Sequence, residues 1–177
     1  LGAVSGYFGG VIDDVLMRLT DILLAIPMTL FAIVIVAALG ANTRNLAIAL
    51  AASSVPIFAR IVRSAVLTVR DVEYVEAARA IGAGHKTILL RYILPNCLSP
   101  IIVQVTLRIA TAIYNTAALS FLGMGVQAPA PEWGGLLAGG RTYIQNYSYL
   151  SIIPGLAIML TVLALNLLGD GLRDALD

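Results

Sequence analysis

The chain has 177 residues, 59% of them hydrophobic and 12% charged, with a mean hydropathy of +0.92. A soluble domain is usually about a quarter charged, so this composition points to a membrane protein. The net charge of +1, without a run of lysine or arginine, argues against a broad nucleic-acid surface.

The opening LGAVSGYFGG lacks the basic start and apolar run of a signal peptide and does not begin with methionine. It reads as the end of a hydrophobic segment in a fragment truncated at its N-terminus. Its glycines lack the strand-then-helix context of a nucleotide-binding loop, and Gly2 and Gly6 fit close helix packing instead.

Four stretches approach the roughly 20 apolar residues that cross a hydrocarbon core. They are residues 22–39, 46–67, 98–122 and 152–168. The turn GANTRN is short, so the first two spans are antiparallel neighbours. Pro27 and Pro56 fall inside apparent helices, where each acts as a packing kink or a hinge. The segment from 123 to 150 reads as a long outer loop containing the only tryptophan, Trp133.

Lysine and arginine concentrate in the loop between the second and third spans, which carries Arg70, Arg79, Lys86 and Arg91. Cytoplasmic loops hold such an excess, so this loop and both ends of the fragment belong on the cytoplasmic side; Arg44, in the outer turn, dissents. Residues 60–91 hold nine of the twenty-one charged side chains.

Within that loop, DVEYVEAARAIG predicts a short helix over about 71–83. Asp71 is placed to cap it, Glu73 and Glu76 lie early, Arg79 lies late, and Gly82 and Gly84 can stop it. Val72, Val75, Ala78 and Ile81, with Ala77 and Ala80 beside them, make a narrow stripe of small apolar residues. The helix is too short and too charged to span, so it lies on the membrane surface or in a partner's groove. Pro95 suits the first turn of the next span.

Glu76-Ala77-Ala78, then Gly82, then Leu94-Pro95 resemble, in residue type and spacing, the EAA loop of permease subunits from binding-protein-dependent ABC importers. SGYFGG, MRLTDILLAIP, ALSFLGMGVQAPAPEWG and NLLGDGLRDALD are similar to the permeases for dipeptides, oligopeptides and nickel, in particular their second, C-type subunit. Two departures stand out. Tyr92 occupies a position that is usually aliphatic, and Thr116 stands where many relatives carry an acidic residue, which weakens inference of a substrate-facing carboxylate.

The resemblance implies an all-α, polytopic transmembrane bundle like the type I ABC importer permeases, forming a single domain with a cytoplasmic coupling helix. It implies a multi-pass inner-membrane subunit of an ATP-driven importer of di- or oligopeptides, with nickel or a metal chelate as the alternative cargo. Glu76, Ala77, Ala78, Arg79, Gly82, Leu94 and Pro95 would dock on an ATPase subunit, with Glu76 and Arg79 fixing register. A second permease subunit and an extracytoplasmic binding protein would complete the system. The chain itself would be no enzyme and hold no cofactor or metal, since ATP would be used by the partner subunits; no phosphate-cradling GxxxxGK motif occurs.

Arg108, near the middle of the third span, either lines the translocation path or forms a buried pair with the partner subunit. Asn115 and Thr116 are candidates for the same path, or for interhelical hydrogen bonds. Glu132 and Trp133 in the outer loop are candidate contacts for the binding protein, and Tyr143, Tyr147 and Tyr149 read as interface anchors. His85, the only histidine, reads as solvated, and the lone Cys97 as a buried structural thiol. The competing class is an ion-gradient transporter or channel, which predicts intramembrane acidic residues or paired broken helices; a non-transporting scaffold predicts no ATPase partner.

Overall fold

A computed structural model describes residues 1–126 and 129–176, and every regular element among them is helical. In chain order these are α1 (Gly2–Phe8), α2 (Gly10–Leu24), α3 (Met28–Leu39), α4 (Thr43–Val69), α5 (Glu73–Ala80) and the single turn α6 (His85–Thr87). A wide π turn (Ile88–Ile93) and a 3-10 turn (Leu94–Cys97) lead into α7 (Leu98–Phe121), followed by α8 (Trp133–Gly140) and α9 (Tyr149–Leu176).

By length and apolar character, α4, the helical run His85–Phe121 and α9 can each cross a membrane, and α2 with α3 can count as a fourth, broken span. The apolar run from 22 to 39 is therefore not one helix. Its interruption follows from Pro27, which lacks an amide hydrogen to continue the ladder and adopts extended backbone (φ −52°, ψ 131°) immediately before α3. Pro27 sits at a helix start rather than inside a helix, whereas Pro56 lies inside α4 and is buried.

The turn between α3 and α4 is held by asparagines. The Asn42 carboxamide oxygen accepts from the Asn45 amide at 2.9 Å, capping α4, and Asn45 Nδ2 donates to the Leu39 carbonyl at 2.6 Å. Pro95 falls in the 3-10 turn, before α7 begins. It withholds a donor from the preceding turn, and Asn96 Nδ2 donates to the Tyr92 carbonyl at 2.6 Å there.

Two compact units contain the described residues. One comprises Leu1–Ala25, Ser54–Val105 and residues 172–176; the other comprises Ile26–Ser53 and the described part of Thr106–Gly171. In the first, Tyr7, Val66, Val75, Ala78, Ile88, Ile93 and Cys97 form one buried cluster. There α1 lies directly on α4, because a Cβ at Gly2 would fall on the Ala59 backbone and one at Gly6 would meet the Arg63 carbonyl and Val66. In the second unit, Ala32 and Val36 of α3 pack with Leu46, Ala49 and Leu50 of α4 and Leu119 of α7.

Candidate functional site

Helix α5 is the short charged helix of the loop, and its two faces have different partners. Val75 is 0% exposed and Ala78 3%, both packed into the first unit's buried cluster. Val72 and Ile81 are exposed at 40% and 81%, so the stripe of Val72, Val75, Ala78 and Ile81 does not form a single docking face. Residues three apart drift around a helix of 3.6 residues per turn, and only the central two remain on the inner side. The outward face is Glu73, Glu76, Ala77 and Ala80, with Ile81 standing clear at its end. Glu76 makes no hydrogen bond or ion pair within the chain among the described residues.

Asp71 does not cap this helix. Val72 occupies the cap position without a side-chain bond, and the Asp71 carboxylate instead accepts from Arg70 Nε at 3.0 Å. At the other end, the Ala83 amide donates to the Ala78 carbonyl (3.0 Å) and the Gly82 amide to that of Arg79 (3.0 Å). This crossed pair of bonds requires a left-handed residue between them, supplied by Gly82 at φ +83°.

Arg79 turns toward its own chain: Nη2 donates to the Arg70 carbonyl at 3.1 Å, and its guanidinium carbon stands 5.9 Å from the Tyr7 ring centroid. Leu94 is half-buried and Pro95 exposed. His85, read from sequence as merely solvated, shares a 2.9 Å hydrogen bond between Nδ1 and Tyr7 Oη. Nothing in the spacing of positions 7 and 85 announces that pair.

On α7, Arg108 is half-buried and makes no ion pair among the described residues. Asn115 is buried, with Nδ2 donating to the Thr111 carbonyl at 2.9 Å and lying 3.9 Å from the Met28 sulfur. Thr116, one residue on, faces elsewhere. It lines a cavity of about 520 Å³ with Ile109, Ile113, Glu132, Trp133 and Leu136, so one candidate for the path and the two candidates for binding-protein contact share one pocket.

The pocket forms because the 123–150 segment is more than a loop. Glu132 Oε2 accepts from the Gly135 amide at 2.7 Å, capping α8, and a Cβ at Gly134 would fall on the Ala117 backbone. The Glu132 carboxylate is thus a helix cap before anything else. Trp133 is 41% exposed, and the rings of Tyr147 and Tyr149 meet edge to face at 6.2 Å. Among the described residues no group of histidine, cysteine and carboxylates could hold a metal ion.

Over residues 1–177 the chain matches the family described as the binding-protein-dependent transport system inner membrane component. It is 51% identical over 177 residues to a dipeptide transport system permease protein, DppC, of Alkalihalophilus pseudofirmus, covering all of this chain and 58% of that protein. It is 49% identical to a di/tripeptide transport system permease protein of Pseudomonas aeruginosa and 48% to a glutathione transport system permease protein, GsiD, of Pectobacterium atrosepticum, covering 58% and 59% of them. The chain thus spans about three fifths of the length of the curated relatives it matches. An all-helical, multi-pass chain that matches the family from end to end belongs to it: this is a binding-protein-dependent transport system inner membrane component.

Proposed function

We propose that the chain is part of a permease subunit of an ATP-driven importer of di- and oligopeptides, and that α5 is its coupling helix. The observation that carries this reading is the division of α5 into two faces. Val75 and Ala78 are anchored in the chain's own core, while Glu76, Ala77, Ala80 and Ile81 face outward. A displacement applied to the outer face moves the inner face with it, and the inner face moves the cluster of Val66, Ile88 and Ile93. Small side chains at Ala77 and Ala80 let a partner's cleft approach closely, and the unpaired carboxylate of Glu76 can accept charge-assisted hydrogen bonds there.

In this reading the charged loop lies in the cytoplasm, ATP is hydrolysed on separate ATPase subunits, and a second permease subunit completes the membrane path. An extracytoplasmic binding protein delivers peptide to the side that bears α8. The pocket containing Thr116, Glu132 and Trp133 would lie toward that protein, with Arg108 and Asn115 along the path. The peptide class is favoured by the names of the relatives, two for dipeptides or tripeptides and one for glutathione, itself a tripeptide.

Co-purification tests the coupling role. The full-length subunit, expressed with its cognate ATPases, is expected to retain them through affinity purification, and Glu76→Lys is expected to lose most of that association while remaining membrane-inserted. Equal recovery of ATPase with both forms would remove α5 from the interface.

A further inference from the structure

We propose that Tyr7 is a positioning residue that bridges the two ends of the glycine loop after α5, so that movement of the coupling helix is passed to α1 instead of being absorbed by the loop. This rests on the coupling role proposed for α5.

The loop between α5 and α6 is built to bend. It contains Gly82 and Gly84, both exposed, and a Cβ at either would meet nothing within 4 Å. Left alone, such a connection would pass little of α5's movement along the backbone, leaving only the packing of Val75 and Ala78 to carry it. Tyr7 contacts both sides of it. Arg79, three residues before Gly82, stands over the Tyr7 ring at 5.9 Å, and His85, the residue after Gly84, shares the 2.9 Å bond with Tyr7 Oη. When Nδ1 carries the lone pair, the phenol donates to it. The His85 ring also meets Tyr7 edge to face and Phe8 at a tilt, each at 5.7 Å between centroids.

A second circuit runs beside the first. Arg79 donates to the Arg70 carbonyl at 3.1 Å, and Arg70 Nη1 donates to the Gly6 carbonyl at 2.9 Å, one residue before Tyr7. The coupling helix, the end of α4 and the end of α1 are therefore joined at one point. Helix α1 is in turn fixed: Gly2 and Gly6 seat it on α4, and the Ser5 hydroxyl donates to Asp13 of α2. Tyr7 is 8% exposed, so its ring serves the core whatever its hydroxyl does. The hydroxyl is the part that only the bridge requires.

Tyr7→Phe keeps the ring and removes the bridge, which makes it the informative variant. The test uses the full-length subunit in its complete transporter, reconstituted with binding protein and a dipeptide, and reads dipeptide imported per ATP hydrolysed. Loss of one such hydrogen bond should lower this ratio by about threefold or more, with ATPase subunits recovered at the wild-type level. His85→Leu should do the same, the double variant should be no worse than either single change, and His85→Asn, which keeps a polar atom near the Nδ1 position, should restore much of the ratio. Amide exchange across residues 82–86 should be about threefold or more faster in Tyr7→Phe, independently of transport.

An unchanged ratio and unchanged exchange in Tyr7→Phe would overturn the bridge. So would a loss that merely follows loss of ATPase from the complex, since that is a packing defect. If the wild-type subunit bound no ATPase at all, the coupling role of α5 would fall first and the bridge with it.

Discussion

The guanidinium of Arg63 donates two hydrogen bonds to the carboxylate of Asp13, the Nε bond at 2.6 Å, joining α4 to α2 across fifty positions of sequence. Asp13 also accepts from the Ser5 hydroxyl of α1, so three helices meet on one carboxylate whose side chain is only 13% exposed. Asp13→Asn removes the charge and leaves a half-buried guanidinium without its partner. Arg63 keeps some access to solvent, so the expected cost is about 2 kcal/mol, below the usual loss for a fully buried pair. Asp13→Asn/Arg63→Met should recover part of it. The pair Arg60–Asp21 has the same 2.6 Å separation but is 54% and 55% exposed, and Asp21→Asn should cost less than about 1 kcal/mol. Thermal unfolding of the purified subunit in detergent compares all three.

Close approach of α1 to α4 gives a second expectation. Gly2→Val must push Ala59 away and should destabilise the subunit by about 1–3 kcal/mol or more. Gly171→Ala in α9 is the control, since its Cβ meets nothing within 4 Å and alanine favours the helix by up to about 1 kcal/mol. Unfolding midpoints that moved alike would show that glycine at position 2 is not there for packing.

The two faces of α5 should separate stability from association. Val75→Ala removes buried methyl groups and should cost about 2 kcal/mol of stability. Ile81→Ser changes a side chain that is 81% exposed, so stability should stay within about 0.5 kcal/mol while affinity for the ATPase falls about fivefold or more. Unfolding and ATPase pull-down, measured on the same preparations, distinguish them.

Capping of α8 predicts a local effect. Glu132→Ala should weaken that helix by about 1 kcal/mol, read as faster exchange of the Gly135 amide, which the carboxylate accepts from at 2.7 Å. Glu132→Gln should lie between, because the carboxamide oxygen still accepts.

Much of this was legible in the sequence, for reasons that can be named. Apolar runs of spanning length marked the long helices because backbone groups in lipid must be satisfied internally, and a helix does so. The EAARAIG stretch marked α5 because charge, small residues and a terminal glycine coincide there. Other features were not legible. The break at Pro27 looked like a kink, since periodicity cannot distinguish a bent helix from two helices. Asp71 had the right residue type for a cap, but its neighbour Arg70 holds it in an ion pair at 3.0 Å, a local competition that position alone does not reveal. The links from His85 to Tyr7 and from Arg63 to Asp13 are long-range, and a single sequence carries no trace of which distant side chains will meet. Thr116, Glu132 and Trp133 were each named, but their common pocket depends on α8 folding back onto Ala117 through Gly134.

The most direct measurement of the central claim is uptake of a labelled dipeptide into proteoliposomes containing the full-length subunit, its partner permease and its ATPases, with binding protein added outside. Uptake is expected to require ATP, binding protein and the intact coupling helix, and to fall at least about tenfold in Glu76→Lys. Dipeptide accumulation driven by an ion gradient without ATP, or full uptake by Glu76→Lys, would contradict it.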